Sequence, residues 1–231
     1  LIGVKNWGNI AWTSMNNAFH GCGNFTNYTA TDVPDLSSVT YMGEMFTSSG
    51  FDGNINLWDV SNVTNMYQMF RLCSNFSSNI SSWNVGNVTN MQQMFVSCGS
   101  FNSNISSWDV SNVTNMYGMF VNCNSFNSNI SSWDVSSVNN MFALFINATS
   151  FNQSLANWDI NQVTYFGNFM TGATLTTANY DATLIGWENQ IPLTYNGTLD
   201  FGNSTYTLGG AAATARAALV SDVGAVSDGG G

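Results

Sequence analysis

One acidic or amide side chain recurs every 25 residues, and it is the feature of this chain best suited to chemistry. The column consists of Asp59, Asn84, Asp109, Asp134 and Asp159. A serine stands two residues before three of them, at Ser82, Ser107 and Ser132. Carboxylate and hydroxyl oxygens are hydrogen-bond partners for polar ligands and are the ligands that Ca²⁺ prefers. These residues are therefore the candidate ligand-binding surface.

Carboxylates stacked in one column repel one another, so each needs a partner. We favour hydrogen bonds from serine and threonine hydroxyls, backbone N–H groups and water. The alternative is a Ca²⁺ ion that bridges successive units. No other cofactor is expected.

The histidine and the cysteines are more plausibly structural than catalytic or metal-binding. His20 is the only histidine, and a catalytic triad needs a partnered imidazole in a site of converging groups. We therefore expect no enzyme activity. The four cysteines have no C-x-x-C spacing and do not predict a zinc site; they are Cys22, Cys73, Cys98 and Cys123. Buried thiols are favoured over disulfides between neighbouring units, since parallel side chains suit a bridge poorly.

The charge balance excludes two classes of partner. Charged residues make up only 7% of the chain, and its net charge is −10. The three cations are Lys5, Arg71 and Arg216. A surface with so few cations repels phosphate backbones and anionic lipids, so we expect nucleic acid and anionic lipid to be poor partners. No run of apolar residues is long enough to span a bilayer, so direct membrane insertion is not expected either.

The spacing of apolar residues predicts the elements that position these side chains. Five tryptophans recur at intervals of 25, namely Trp58, Trp83, Trp108, Trp133 and Trp158. Ile80, Trp83 and Val85 match the L-x-x-L-x-L pattern of a leucine-rich repeat and predict a short strand. Residues 91–98 carry apolar side chains at i, i+3, i+4 and i+7, which predicts a short helix. Methionines in this stripe are expected to fill the core.

The predicted fold class is an α/β repeat solenoid. Its coils of 25 residues are expected to wind right-handed in the leucine-rich-repeat manner, with a parallel strand ladder on one face and short helices on the other. The polar column would then lie on the concave face. Residues 1–38 are predicted to form an atypical N-terminal cap and first coil, residues 39–170 the solenoid, and residues 171–231 a C-terminal cap.

The C-terminal cap is predicted as helix, hairpin and helix, followed by a glycine-rich linker stub. Tyr180, Leu184 and Trp187 indicate the first helix, and residues 211–220 the second. Residues 193–206 alternate in polarity around Asn196-Gly197, which is typical of a hairpin turn.

A second surface column lies on the predicted helix side. It is increasingly apolar toward the C-terminus and includes two positions of each unit, four residues apart. Tyr67, Tyr117 and Phe142 occupy one of them, and Val96, Val121 and Ile146 the other. Contiguous exposed apolar side chains would mark an interface. Lateral contact between neighbouring helices is the interpretation that we favour.

The runs Trp58–Met66 and Trp108–Met116, with the M-x-x-M-F-x-x-C continuation at Met66–Cys73, resemble BspA-like leucine-rich-repeat surface proteins. The resemblance extends to residues 12–15, 32–36 and 178–187, and the version with this cap is similar to secreted proteins of the Bacteroidetes. It implies display at the cell surface, often adhesion, and no catalysis. It supplies no functional residues to transfer. Ala225 departs from the family pattern, in which a tryptophan shortly precedes the closing Asp-Gly-Gly.

Two functions follow from these observations. The first is a non-enzymatic, secreted or cell-surface module that binds a protein or glycan through the concave Ser/Asp face. The second is a structural subunit that assembles with copies of itself into a filament or layer. Sequons for glycosylation of a secreted chain include Asn62, Asn87, Asn112, Asn196 and Asn203.

Overall fold

The computed structural model describes every residue from Leu1 to Gly231. Regular secondary structure is confined to the two ends of the chain. Near the N-terminus, β1 (Gly3–Val4) pairs in parallel with β2 (Asn27–Tyr28). At the C-terminal end lie α1 (Thr177–Glu188), β3 (Gly197–Asp200), α2 (Ala211–Val223) and β4 (Gly224–Ser227). Between β2 and α1 the chain consists of turns, extended stretches and single-residue bridges.

Successive 25-residue units are joined through the segments that contain the paired methionines. Parallel bridges connect Tyr41 to Asn65, Asn65 to Asn90, Asn90 to Asn115, Asn115 to Asn140 and Asn140 to Tyr165. Beside each bridge, alternate amides donate to carbonyls of the next unit. The Met91 N–H bonds to Asn115 O at 2.9 Å, and the Phe95 N–H bonds to Met119 O at 3.0 Å. Each unit therefore satisfies half of its amides in this segment through its neighbour.

The helix expected over residues 91–98 is replaced by a series of turns. Gln93 and Ser97 have φ values of 56° and 60°, in the left-handed region. A left-handed residue at every fourth position interrupts a helix and turns alternate N–H groups toward the next unit. The remaining amides close turns, as in the 3.0 Å bond from the Cys98 N–H to Phe95 O. An isolated helix of this length is marginal in water, whereas the inter-unit bonds are repeated in every unit.

The strand expected around Trp83 is also absent. The Trp83 N–H bonds to Ile80 O at 3.2 Å, and the Val88 N–H bonds to Val85 O at 2.8 Å. Both contacts close tight turns, so this segment has no backbone ladder to its neighbours. The inter-unit bond here comes from the indole instead, since Trp83 Nε1 donates to Ile55 O at 2.9 Å. The same bond recurs from Trp108, Trp133 and Trp158 at 3.0–3.2 Å.

Equivalent aromatic side chains stack on one another in the interior. The rings of Phe70, Phe95, Phe120 and Phe145 lie 5.7–5.9 Å apart, with interplanar angles of 1–6°. The methionine side chains expected in the core are buried, as are the tryptophans from Trp58 to Trp158. This confirms the predicted core, because side chains that recur once per unit meet their equivalents in the adjacent units.

Both predicted C-terminal helices are confirmed, but the predicted hairpin is wrong. β3 begins at Gly197, inside the expected turn, and pairs in parallel with β4 after α2. Parallel strands need a crossover connection, and α2 supplies it. α1 continues the tryptophan column of the repeat. Trp187 Nε1 donates to Leu155 O of the preceding unit at 2.9 Å, just as Trp158 Nε1 donates to Ile130 O.

The expected linker stub after Ser227 is wrong as well. The Asp228 side chain is 2% exposed and pairs with Arg216, with Nε and Oδ2 2.6 Å apart. The Tyr180 hydroxyl donates to the same carboxylate at 2.6 Å. The Gly229 N–H bonds to Ser204 O at 2.8 Å. The Asp228 carboxylate thus bonds to a guanidinium, a phenol and a backbone N–H, which fixes this segment in the fold. The glycine-rich composition did not indicate these contacts.

One cluster of 64 buried apolar side chains runs from Trp7 to Val223. The N-terminal segment, the repeats and the C-terminal segment share this core. The domain boundaries at residues 38 and 170 remain predictions of the sequence.

Candidate functional site

The polar column identified in the sequence lies on the surface. We use the name Asp/Ser face for these exposed side chains, which are Asp59, Asn84, Asp109, Asp134, Asp159, Ser82, Ser107 and Ser132. Each unit contributes one acid or amide, and the buried tryptophan beside it holds its backbone in place. The Asp/Ser face is thus a periodic array, and the buried tryptophans next to it set its spacing.

Each acid or amide of this column closes a local turn. Asp109 Oδ1 accepts from the Ser111 N–H at 3.1 Å and from its hydroxyl at 2.6 Å. Asn84 Oδ1 accepts from the Gly86 N–H at 3.1 Å. Asp59, Asp134 and Asp159 accept from the N–H two residues on at 3.0 Å. Asp and Asn favour such turns because their side chains reach the backbone two residues ahead. The favoured hydrogen-bonding interpretation of the column is therefore confirmed for one oxygen of each residue.

The same bonds favour the ionised form of three of these carboxyls, Asp59, Asp109 and Asp134. The Ser111 hydroxyl, and then the Ser111 N–H, lower the pKa of Asp109 below its usual value. The Ser61 groups lower the pKa of Asp59, and the Ser136 groups that of Asp134, in the same way. The face is therefore negatively charged at neutral pH.

The donor set of this face does not form a cation cage. Ca²⁺ takes six to eight oxygen ligands. The chain contains no group of three or more acidic, histidine or cysteine side chains arranged to hold a metal ion. The carboxylates come one per unit, and one oxygen of each already closes a turn. The Ca²⁺ bridge remains a prediction for which this geometry offers no converging ligands.

Acid should destabilise the fold through these carboxylates. Because the folded-state pKa lies below the ordinary value of 3.8, each group contributes full stability above that value and loses its contribution as the pH falls below it. We expect the urea midpoint to fall as the pH drops from about 4 toward about 2. In the double variant Asp109→Asn, Asp134→Asn the midpoint should fall less steeply, because Asn keeps the turn acceptor, as Asn84 does, without titrating. An unchanged pH slope in the variant would contradict this assignment.

The apolar surface column is partly covered by contacts between units. Tyr67, Tyr117, Phe142, Val121 and Ile146 are half-buried, and Val96 is buried. The rings of Tyr117 and Phe142 lie 5.8 Å apart. This supports the favoured lateral contact for that pair, although the neighbouring segments are turns rather than helices. The use of this column as an interface remains a prediction.

The sequon asparagines of the repeats have a structural role that the sequence did not reveal. The side-chain amide of Asn87 donates to Ser61 O at 2.7 Å, and that of Asn112 donates to Gly86 O at 2.7 Å. Asn62 makes the equivalent bond to Ser37 O at 3.1 Å. The nitrogen to which a glycan would attach thus already links neighbouring units. Asn196 and Asn203 are exposed and make no such bond.

The remaining candidate side chains are the cysteine thiols and the imidazole of His20. The thiols of Cys73, Cys98 and Cys123 are buried and free, and each Sγ lies 2.8–2.9 Å from a phenylalanine carbonyl oxygen of the preceding unit. Burial raises the pKa of the Cys73 thiol to about 12, which makes it unreactive at neutral pH. His20 is exposed, with Nδ1 2.8 Å from Asn17 Oδ1 and 3.4 Å from Glu44 Oε2.

A further column, of turn-forming asparagines, lies just before the methionines and was not predicted from the sequence. The Oδ1 atoms of Asn65, Asn90, Asn115 and Asn140 accept the N–H two residues ahead at 2.9–3.1 Å. Their recurrence just before the methionines, together with the preference of Asn for such turns, was the available signal. This signal indicated the turn over residues 90–92, but not the left-handed residues that follow it.

This chain is a repeat protein, because each 25-residue unit bonds to the next and contributes one residue to a polar surface column. Residues 13–106 and 80–183 each match the family described as Mycoplasma protein of unknown function, DUF285. The chain belongs to this family, and the two overlapping matches agree with its repeated sequence. No curated protein and no solved structure matches the chain. None of its helices has the length and apolar character needed to cross a membrane.

Proposed function

We propose that this chain is a non-enzymatic binding module of the cell surface that holds a protein or glycan ligand on the Asp/Ser face. The observation that carries the proposal is the exposed array itself, which repeats one acid or amide per unit at a spacing set by the core. In this proposal, residues 39–170 wind into a solenoid that resembles the BspA-like surface proteins. That resemblance also supports secretion and the absence of catalysis.

The chemistry of the face favours a ligand with several hydrogen-bond donors. Oδ1 of each acid closes a turn, and Oδ2 of Asp109 and of Asp134 has no hydrogen-bond donor within the chain, so it can accept from a ligand. Ser107 and Ser132 are exposed beside them. Weak contacts repeated at a constant interval add up when the ligand is itself repetitive, because each further contact is intramolecular. A glycan or an extended polypeptide fits this arrangement.

The proposal is tested on arrays of glycans and of extracellular proteins, with and without a Ca²⁺ chelator. We expect binding that the combined substitutions Asp109→Asn, Asp134→Asn, Ser107→Ala and Ser132→Ala weaken by about tenfold or more. The matched control is Ser125→Ala with Ser150→Ala, which removes exposed hydroxyls from the same units outside the face. Loss of binding with chelator would assign a role to Ca²⁺. The proposal would be refuted if the parent chain bound nothing on any array, or if the control variant lost as much binding as the combined variant.

Self-assembly is the second candidate, and exposed apolar side chains at both ends of the chain favour it. Ile10 and Val33 are 55% and 46% exposed in the N-terminal segment, and Leu208 is 67% exposed in the C-terminal segment. Exposed apolar groups at two ends suit head-to-tail contacts between copies. Sedimentation and electron microscopy decide between the candidates. Filaments that Leu208→Ser abolishes would support assembly, and a strictly monomeric particle at high concentration would remove it.

A further inference from the structure

The inter-unit ladder is mostly lost in the last unit of the repeat. The N–H groups of Gln93, Gly118 and Ala143 each donate to a carbonyl of the next unit, at 2.8–3.0 Å. Asn168 occupies the same position in the last unit, but its N–H has no acceptor in the chain. Phe166 and Gly172, which also correspond to bonded positions of the earlier units, likewise donate to no carbonyl, and only the Met170 N–H bonds onward, to Asp200 O of β3 at 2.9 Å. The last unit therefore meets β3 through one backbone bond, and the Asn168 N–H is among the donors left free.

A surface pocket of about 420 Å³, open to solvent, lies beside this unit, and we call it the cavity. Its walls are formed by Gly167, Asn168, Tyr195, Thr198, Asp200 and Ser227. Identical units repeat the same contacts, whereas the last unit must match a different segment, so a gap at this junction has a physical cause.

Gly167 keeps this cavity open. It continues the surface column of Tyr117 and Phe142, but it has no side chain to fill the space. A Cβ atom placed there would lie 3.0 Å from Phe142 Cε2 and 3.9 Å from Tyr195 Oη. Gly167 therefore leaves a space between the aromatic rings of Phe142 and Tyr195, where the two preceding units have a tyrosine and a phenylalanine.

Tyr195 gives the cavity a rigid aromatic wall. Its hydroxyl donates to Thr198 O at 3.2 Å, and its ring packs edge-on against Phe166 with centroids 5.8 Å apart. The ring is half-buried, so its orientation is set before any ligand arrives. Aromatic rings held in this way bind the apolar C–H face of a ligand while their polar ends remain hydrogen-bonded.

The polar groups of the cavity disfavour an anion and a Ca²⁺ ion. Thr198 and Ser227 supply hydroxyls, and Asn168 supplies its free N–H. Asp200 is the only charged residue of the walls; its Oδ1 accepts from the Gly202 N–H at 2.9 Å, and its Oδ2 accepts from the Thr171 hydroxyl. One carboxylate disfavours an anion, and it provides too few oxygens for a Ca²⁺ ion.

We propose that this cavity binds one neutral pyranose residue, either free or as the end of a glycan. The C–H face of the sugar lies on the Tyr195 ring, a sugar oxygen accepts from the Asn168 N–H, and sugar hydroxyls donate to Asp200 and to the wall hydroxyls. This site is separate from the Asp/Ser face and goes beyond the function proposed for it. The two can therefore fail independently.

The test is a titration of the whole chain with methyl glucoside, methyl galactoside, methyl mannoside and methyl N-acetylglucosaminide, followed by amide NMR. We expect millimolar binding by at least one of them, with the largest shift at the Asn168 amide. Methyl glucuronide, which differs from methyl glucoside by one carboxylate, and Ca²⁺ alone should leave that amide unmoved. Tyr195→Ala should weaken binding about tenfold, or roughly 1.4 kcal/mol.

Two further variants keep the test independent of folding. Thr198→Val removes one wall hydroxyl at an exposed position and should weaken binding while the amide spectrum stays otherwise unchanged. Tyr165→Ala, in the same unit but outside the cavity walls, should bind like the parent chain. The proposal is overturned if no neutral glycoside moves the Asn168 amide, if the glucuronide or Ca²⁺ moves it equally, or if Tyr165→Ala weakens binding as much as Tyr195→Ala.

Discussion

Replacing Phe95 with alanine should lower the free energy of unfolding by about 3–5 kcal/mol. Phe95 is fully buried and stacks on Phe70 at 5.7 Å, on Phe120 at 5.9 Å and on Phe101 at 4.0 Å. Alanine leaves a cavity that no single neighbour can fill, because each stacked ring is held by its own unit. Urea unfolding followed by tryptophan fluorescence measures the loss.

The position of Phe95 sharpens this prediction. Repeat units contact only their neighbours, so a defect in the middle interrupts the stack on both sides. Tyr165→Ala is the matched control, since that ring is 62% exposed and its removal should change stability by no more than about 0.5 kcal/mol. A cost of less than about 1 kcal/mol at Phe95 would show that the stacked column does not hold the units together.

Replacing Arg216 with methionine should cost about 3–5 kcal/mol, because it leaves the buried Asp228 carboxylate without its cation. Burial by itself raises the pKa of Asp228, but the Arg216 bonds, with those from Tyr180 and Gly230, more than offset this and lower it. Arg216 also bonds to Val226 O at 3.1 Å in β4. The pair therefore ties α2 to the last strand and to α1.

The partner substitution separates the ion pair from simple packing. The double variant Arg216→Met, Asp228→Asn should be more stable than Arg216→Met alone, since a neutral amide can still accept from Tyr180 without an unpaired charge. Urea unfolding of the parent, both single variants and the double variant gives the coupling directly. Additive losses would show that the two side chains act independently.

Much of the buried core was predictable from period alone. Columns of Trp, Met and Phe at intervals of 25 recur in the interior because every unit presents the same side chain at the same place. The apolar pattern of α1 was equally clear at Tyr180, Leu184 and Trp187. The Asp/Ser face was placed on the surface for the same reason, since its residues flank a buried tryptophan.

The secondary structure of the units was not predictable from that period. The spacing i, i+3, i+4, i+7 at residues 91–98 suits a helix, but it also suits turns with a left-handed residue at Gln93 and Ser97. The choice depends on where the amides find acceptors, and those carbonyls lie in the next unit, 24 residues along the chain. A local pattern does not contain that partner.

The repeat length, the buried columns, the exposed polar column and the two C-terminal helices could all be inferred from the order of the residues. Tertiary structure alone decided that β3 pairs with β4, that Asp228 is buried against Arg216, and that the ladder leaves Asn168 free beside a cavity. The physical reason is the range of the interactions. Side-chain burial follows from a period that is visible along the chain, whereas a hydrogen-bond partner or a gap depends on which distant segments meet.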